Sequence, residues 1–148
     1  SDVCSSDLYR SVLARLMDKL IAEGKIDKAK KVIELSLTEM PIEKFGYYSI
    51  VEPFAKGYYE VGEKAKAQQL LEKLIVKYKE NLNYYGTLNA TDQISLAMDI
   101  ITDIERYRSL LQVMKENGDL TLIKEREISK SSILDALKKE GFIVDLTF

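Results

Sequence analysis

The stretch Gly24-Lys25-Ile26-Asp27-Lys28-Ala29 has a counterpart with the same glycine-to-alanine spacing, Gly62-Glu63-Lys64-Ala65-Lys66-Ala67. The two glycines are 38 positions apart (62 − 24 = 38). Glycine suits the tight turn between two antiparallel helices because it has no Cβ, and the alanine farther on lets the second helix approach the first closely. A spacing that recurs at this interval predicts two helical hairpins, each with a glycine in its turn.

Apolar residues on both sides of these turns recur at steps of three and four, which is typical of one face of a helix. They predict a first helix that runs to about Glu23 and a second that stops at Pro41, because proline disfavours helical geometry in the preceding residue. Residues 42–48 connect this hairpin to a short helix that has Pro53 near its start and ends at Gly62. A long helix follows. The first two apolar faces consist of Leu8, Val12, Leu13, Leu16, Met17, Leu20 and Ile21, and of Ile26, Ala29, Val32, Ile33, Leu37 and Met40.

The second half of the chain predicts further helices. The apolar pattern breaks at Gly86 and resumes after Asn89-Ala90-Thr91-Asp92, a sequence typical of a helix N-cap. One long helix is expected from there to Asn117-Gly118, and another over residues 131–140. The final residues, 142–148, are apolar and strand-like. The apolar face of the long helix is predicted to consist of Ile94, Ala97, Met98, Ile101, Ile104, Leu111 and Met114.

With the glycines aligned, the two hairpins resemble the tetratricopeptide repeat, whose unit is about 34 residues long. Three small residues, an aromatic residue and a closing proline match that pattern, and they are Ala29, Ala55, Ala67, Tyr58 and Pro41. Met17 departs from it at a position that is normally small, and Lys79 stands where a second proline is expected. The resemblance implies an all-α fold of antiparallel helical hairpins, a tetratricopeptide-like α-solenoid over residues 9–117. The long helix would then cap the last repeat, since the ends of solenoids need a cover, and residues 118–148 form a C-terminal helix and tail.

Composition restricts the classes of partner. The 148 residues are 46% hydrophobic and 31% charged, which fits a single soluble domain. Basic and acidic residues number 22 and 24 and are spread evenly, so no field of one sign attracts phosphate backbones. No apolar run approaches the ~20 residues of a membrane span. We therefore expect neither a nucleic-acid partner nor direct membrane insertion by this stretch of chain.

The residue types that carry most enzyme chemistry are scarce. Histidine is absent and Cys4 is the only cysteine, so the commonest zinc ligands and the commonest general base are missing. Pairs such as Glu43 with Glu60, or Asp99 with Asp103, are conceivable as acid and base. Charged residues along amphipathic helices are usually solvated, however, and no glycine-rich phosphate loop accompanies them. The sequence predicts no catalytic, metal or cofactor site, and we expect a protein that is not an enzyme.

The first eight residues stand apart. Ser1-Asp2-Val3-Cys4-Ser5-Ser6-Asp7-Leu8 resembles a translated sequencing-adapter fragment. We expect residues 1–8 not to be native and the authentic protein to begin upstream of Tyr9. The alternative is a serine- and aspartate-rich arm that caps the first helix.

Six of the nine tyrosines form three adjacent pairs, 47–48, 58–59 and 84–85. One member of each pair should turn inward and the other toward solvent or a groove. Exposed tyrosines supply rigid contact area with a hydrogen-bonding tip, so Tyr47, Tyr48 and Tyr59 are candidate partner-binding residues on a groove of the first helices. The alternative is that these rings fill the hairpin junctions and satisfy their hydroxyls locally.

A second resemblance covers residues 9 to about 117. It is carried by four runs: Ala22-Glu23-Gly24-Lys25-Ile26-Asp27-Lys28-Ala29, Met40-Pro41-Ile42-Glu43-Lys44, Gly57-Tyr58-Tyr59-Glu60-Val61-Gly62-Glu63 and Asn83-Tyr84-Tyr85. These look like the C-terminal region of a bacterial membrane-protein family whose N-terminal portion is similar to protein O-mannosyltransferases. The resemblance implies that any glycosyl-transfer site lies in that membrane portion.

These resemblances imply a non-catalytic interaction or accessory module of a membrane glycosyltransferase-like protein. Its partner would be a protein, a peptide or the membrane portion of its own parent chain. Its place would be the periplasmic face of the cytoplasmic membrane. The alternative is a free-standing cytoplasmic adaptor of the same fold, which predicts a start codon near Tyr9.

Overall fold

A computed structural model describes residues 2–41 and 51–119, with side chains from Leu8 onward. All regular secondary structure in these ranges is α-helical, which confirms the predicted helical class. The six helices of the described ranges are α1 (Asp2–Ala22), α2 (Ile26–Glu39), α3 (Glu52–Glu60), α4 (Lys64–Thr87), α5 (Ala90–Ser95) and α6 (Ala97–Glu116). The chain divides into two compact units, Ser1–Lys73 and Leu74–Phe148. The predictions for residues 42–48, 131–140 and 142–148 lie outside the described residues, and the solenoid arrangement remains a prediction.

The two glycine turns of the first unit have the same hydrogen-bond pattern. Gly24 has a φ of 75° and Gly62 a φ of 83°, a left-handed conformation that favours glycine. After α1, the Lys25 N–H donates to the Leu20 carbonyl at 2.8 Å, and after α3 the Glu63 N–H donates to Tyr58 at 2.8 Å. Such bonds satisfy carbonyls that a helix end leaves without partners. The alanine that follows each turn, Ala29 or Ala67, is fully buried, which agrees with the predicted close packing of the two helices.

The core of the first unit forms where α1 and α2 pack against each other and α3 packs against both. Met17 on α1 is buried beside Gly57 on α3. At the far end of α2, the buried guanidinium of Arg10 donates a 2.9 Å hydrogen bond to the carbonyl of Met40. The buried apolar residues of this unit are Leu13, Ala14, Met17, Ala29, Ile33, Met40, Val51, Phe54, Ala55, Tyr58, Val61, Ala67, Leu70 and Leu71.

The predicted apolar face of α1 is only partly correct. Leu13 and Met17 are buried, but Leu8, Val12 and Leu16 are exposed. The reason is geometric, because α2 and α3 cover one narrow face of α1 and a seven-residue stripe is wider than that face. The helix also begins at Asp2, so residues 2–8 belong to α1 and are not an arm that precedes and caps it.

In the second unit, the long helix predicted after residue 90 is interrupted. The chain leaves helical geometry at Leu96, between α5 and α6, so the single-helix prediction is wrong. The predicted N-cap is confirmed, since the Asn89 side chain accepts a 2.8 Å hydrogen bond from the Asp92 N–H. The short α5 turns Gln93 inward, and its Nε2 donates to the Tyr85 carbonyl at 3.0 Å. That carbonyl lies in the last turn of α4, where it lacks a partner within the helix.

The interruption changes which residues of α6 are buried. Ile94, Met98 and Ile101 were expected on the core face but are exposed, with 73% of Met98 accessible. The helix ends at Glu116, as predicted, and Gly118 adopts a φ of 80°. The buried face consists of Ile100, Asp103, Ile104, Tyr107, Leu110, Leu111, Val113 and Met114, which recur at steps of three and four.

Candidate interaction groove

Two adjacent cavities open on the first unit between α2, the end of α3 and the first turns of α4. Their volumes are about 390 Å³ and about 220 Å³. They share three lining residues, Glu34, Tyr58 and Lys66, so we treat them as one surface, the α2–α4 groove. The first cavity is further lined by Lys30, Lys31, Leu35, Thr38 and Glu63, and the second by Leu37, Gln69, Leu70 and Lys73.

A three-residue polar cluster occupies the middle of the α2–α4 groove. One carboxylate oxygen, Oε1 of Glu34, accepts a 3.0 Å hydrogen bond from the Tyr58 hydroxyl and a 2.8 Å bond from Lys66 Nζ. The Tyr58 ring is buried in the core of the unit, and only its polar tip reaches the groove. A buried tyrosine hydroxyl normally needs such a partner, so Glu34 stabilises the buried ring. Side chains of three different helices are thereby fixed relative to one another.

The charges of this cluster are set by the same contacts. The hydrogen bond from Lys66 holds the pKa of Glu34 below its ordinary value. Burial, with a further contribution from the Glu34 carboxylate, raises the pKa of Tyr58. The Lys66 pKa is raised by its hydrogen bond to Glu34. At neutral pH the cluster therefore consists of a carboxylate, an ammonium group and a neutral phenol.

Lysines dominate the rim of the α2–α4 groove. Lys30 pairs with Glu63 at 3.3 Å, and Lys66 pairs with Glu34. Lys31 makes no ion pair or hydrogen bond within the described residues. The fourth lysine, Lys73, lines the second cavity. Among the described lining residues, four lysines face two glutamates. The groove is thus locally basic on a chain whose net charge is −2.

A second polar cluster lies in the other unit, around Asp103 of α6. Its Oδ2 accepts hydrogen bonds from the Tyr85 hydroxyl at 2.9 Å and from Asn81 Nδ2 at 3.3 Å. Burial, together with the Asp103 carboxylate, raises the pKa of Tyr85 to about 12. Asp99, which the sequence pairs with Asp103 as a conceivable acid and base, is exposed. Asp103 therefore anchors α4 to α6 through neutral donors.

The predicted partner-binding tyrosines do not define the α2–α4 groove. Tyr47 and Tyr48 lie outside the described residues. Tyr59 is half-buried and is not among the side chains that line the two cavities. Within the described pairs, Tyr58 is buried beside half-buried Tyr59, and exposed Tyr84 neighbours half-buried Tyr85.

The residues predicted to define the repeat are placed as follows. Gly24 and Gly62 occupy the turns, Pro41 follows the end of α2, and Ala29, Ala55, Tyr58 and Ala67 lie in the core. Sequence reasoning missed the groove residues Glu34, Lys66 and Lys31. Glu34 and Lys66 are 32 positions apart, so no local spacing links them. Glu60 is exposed, and its conceivable partner Glu43 lies outside the described residues.

Residues 2–41 and 51–119 lack two further features. No group of three or more histidine, cysteine, aspartate or glutamate side chains there could hold a metal ion. In the same part of the chain, every helix is too short or too polar to cross a membrane. Comparison with protein-family models, with curated protein sequences and with solved structures found no match.

Proposed function

We propose that this protein is a non-catalytic interaction domain that binds a protein or peptide segment in the α2–α4 groove. The observation that carries the proposal is the groove itself, a cavity of about 390 Å³ and its smaller neighbour, joined across the Tyr58–Glu34–Lys66 cluster. Leu35, nearly half exposed, offers apolar contact area in the first cavity, and the lysine rim offers charge. Apolar contact beside a charged rim is the usual composition of a protein interface.

The titration behaviour of the groove favours recognition over catalysis. A general acid or base works best when its pKa lies near the operating pH. Here the Glu34 pKa is lowered and the Tyr58 pKa is raised, so both groups move away from neutrality. The hydrogen bond between them joins α2 to α3 at the groove.

Accessory action beside a membrane glycosyltransferase-like portion is the wider role that we propose, on the strength of the family resemblance. Two exposed apolar residues on one face of α1, Val12 and Leu16, support it, because exposed apolar patches mark surfaces that another protein covers. The membrane portion of the parent chain would cover this apolar face of α1. In this arrangement the domain lies on the periplasmic face of the cytoplasmic membrane.

A free-standing cytoplasmic adaptor is the second candidate, and the α2–α4 groove favours it equally. Long-read sequencing of the source DNA across the codon for Tyr9 separates the two. A continuous reading frame with several apolar spans of ~20 residues supports the accessory role. A start codon near Tyr9 without such spans supports the adaptor and removes the glycosyltransferase connection.

Peptide binding tests the interaction function directly. We would pan a displayed library of random peptides, each about 12 residues long, against the chain. Thr38 lines the first cavity and is exposed, so Thr38→Trp fills the groove without changing charge. Thr102→Trp, at an exposed position of α6, is the matched control. Recovered peptides should lose affinity about 10-fold for the first variant only. The proposal would be overturned if no peptide binds, or if the recovered peptides bind Thr38→Trp with the same affinity as the native chain.

A further inference from the structure

A row of exposed apolar side chains lies along α5 and the start of α6, in the second unit. Ile94 is 65% accessible, Met98 is 73% accessible and Ile101 is 40% accessible. They follow one another at steps of four and three residues, which is the spacing of one helix face. On both sides of the break at Leu96, backbone hydrogen bonds still join residues four apart. We call these three side chains the α5–α6 stripe.

The α5–α6 stripe is separate from the core of its unit. Met98 and Ile100 are two residues apart, which places them on opposite sides of a helix. Ile100 is fully buried, so the core lies on the side of α6 away from Met98. Single exposed apolar residues are common on protein surfaces, but an apolar patch with a polar rim marks a surface that another molecule covers. The three side chains of the stripe form such a patch.

The surroundings of the α5–α6 stripe are acidic. Asp92, Asp99 and Glu105 are exposed, and none of them forms an ion pair within the part of the chain that the structure describes. Residues 81–105 contain four acidic and no basic residues, whereas the chain as a whole has a net charge of only −2. Negative charge is therefore concentrated around the stripe.

The first cations after this stretch do not neutralise the exposed carboxylates. Arg106 pairs with the buried Asp103, with 4.0 Å between Nη1 and Oδ1. Arg108 lies two helical turns beyond Ile101, past the end of the stripe. The α5–α6 stripe thus combines apolar contact area with carboxylates that pair with no described cation.

These charges distinguish between the possible occupants of the stripe. Two copies of the chain that met through this face would bring like charges together, which costs free energy. Anionic lipid would be repelled for the same reason. A helix with an apolar face and flanking lysines or arginines is attracted instead. The side chains of such a helix can pack between those of α6, as ridges pack into grooves.

We propose that the α5–α6 stripe binds a basic amphipathic helix of a partner protein. Apolar side chains of that helix cover Met98 and Ile101, and its cations pair with Asp99 and Glu105. Recognition of an amphipathic helix through its apolar face is a common mode of protein interaction. The stripe is a second interaction surface, in a different unit from the α2–α4 groove, and it does not depend on the peptide binding proposed there.

A displayed library of helices tests the apolar part of this surface. Each helix would be about 18 residues long, with leucines along one face and with lysine, glutamate or glutamine at random elsewhere. Helices recovered on the native chain should contain more lysine than glutamate. Met98→Ser should weaken each of them about 10-fold, because it removes apolar contact area. Val76→Ser, at an exposed apolar position of α4, is the matched control and should leave their affinity unchanged.

The charge of the surface is tested separately. Asp99→Asn with Glu105→Gln should remove the preference for lysine and reduce the weakening of binding by salt. Asp18→Asn with Glu39→Gln makes the same change at exposed positions of the first unit and should preserve both. Circular dichroism establishes that these variants retain their helices. Thr38→Trp fills the α2–α4 groove and should leave the recovered helices bound, so the two binding surfaces succeed or fail independently.

Several results would overturn the proposal. It fails if no helix binds the native chain, or if the recovered helices bind Met98→Ser as tightly. Helices without an excess of lysine would exclude a basic partner. A native dimer that Met98→Ser dissociates, measured by sedimentation, would assign the stripe to a second copy of the chain. Co-flotation of the native chain, but not of Met98→Ser, with phosphatidylglycerol vesicles would assign it to a membrane surface.

Discussion

Met17 on α1 lies in the space that a side chain at position 57 of α3 would need. A Cβ built on Gly57 would collide with the Met17 sulfur, and Cδ1 of Ile33 stands 3.3 Å from the same point. Both Met17 and Ile33 are almost fully buried, so they have little room to move. The close approach of α1 and α3 therefore depends on glycine at this position.

Gly57→Ala should destabilise the chain despite the higher helix propensity of alanine. Overpacking a buried contact typically costs about 1–3 kcal/mol, which exceeds the gain of about 1 kcal/mol from replacing a helical glycine. Urea denaturation followed by circular dichroism measures the difference. If Gly57→Ala is as stable as the native chain, the close approach of α1 and α3 does not require glycine at this position.

Removing the colliding side chain provides the internal control for this contact. Met17→Ala alone should cost about 2–5 kcal/mol, because it leaves a cavity in the core. In that background Gly57→Ala should become neutral or stabilising, since the new methyl group enters vacated space. The double-mutant cycle should give a coupling energy above about 1 kcal/mol. Additive changes would mean that the two residues do not constrain each other.

The turn glycines should respond to alanine in the opposite way from a glycine inside a helix. Gly24→Ala and Gly62→Ala each force a Cβ into the left-handed region and should cost about 1–2 kcal/mol. Gly86 lies inside α4 with open space around it and has no positive φ, so Gly86→Ala should stabilise by up to about 1 kcal/mol. Thermal melting of the three variants compares them directly.

Tyr58 and Tyr85 should ionise at a higher pH than an ordinary tyrosine. The folded pKa of Tyr85 is raised to about 12 from an ordinary 10, and that of Tyr58 is raised as well. Stability that depends on these neutral phenols is therefore complete below the ordinary value and is lost as the pH rises through the folded one. Titration of tyrosinate absorbance should show late steps that Tyr58→Phe and Tyr85→Phe each reduce, accompanied by loss of helicity.

Replacing the partner of Tyr85 isolates one of these steps. Asp103→Asn removes the carboxylate but leaves the ring partly buried, so the Tyr85 step should move toward its ordinary pH without reaching it. Tyr58 should be unaffected, because its own partner is Glu34. Tyr85→Phe identifies the step by removing it. An unchanged titration in Asp103→Asn would contradict the hydrogen bond.

Glu34 should contribute to stability in the acid range. Its folded pKa is lowered from 4.5 by Lys66, so its contribution is present above the ordinary value and is lost as the pH falls through the lowered one. The effect should be small because the Glu34 and Lys66 side chains are about half exposed. Glu34→Gln should flatten the pH dependence of the unfolding free energy as the pH falls below the ordinary glutamate pKa of 4.5. Glu39→Gln, at an exposed position of the same helix, should not.

The short α5 should depend on its cap. Asn89→Ala removes the hydrogen bond to the Asp92 N–H and should cost about 1 kcal/mol. Asn83→Ala changes the same residue type on the exposed surface of α4 and should cost less than about 0.5 kcal/mol. Chemical denaturation of the two variants measures the difference. Equal losses would mean that Asn89 acts by something other than capping.

Local sequence signals predicted most of the described helices. The turn glycines, Pro41 and the Asn89 cap act through the backbone within a few residues, so a single stretch of sequence contains all the necessary information. The break at Leu96 was not predicted, because the apolar pattern of the sequence continues through it. The exposure of Met98 was not predicted either. Periodicity identifies the apolar face of a helix but does not show whether a neighbouring helix covers it.

The groove could not be predicted from the sequence at all. Glu34 and Lys66 are ordinary charged residues on amphipathic helices, a pattern that usually indicates a solvated surface. Only the packing of α2, α3 and α4 brings their atoms within 2.8 Å and sets the Tyr58 hydroxyl beside them. The tyrosine pairs were a visible signal, and Tyr58 of one pair does line both cavities, but the candidates drawn from the pairs were Tyr47, Tyr48 and Tyr59.

The buried bond from Arg10 to Met40 has a consequence for the range of conditions that the first unit withstands. An arginine guanidinium stays charged at every pH at which proteins fold. The open end of the α1–α2 hairpin is therefore closed by a contact that does not titrate, whereas the α2–α4 groove is held by a carboxylate and a phenol that do. Acid or alkali should alter the binding surface before it opens the hairpin that supports it.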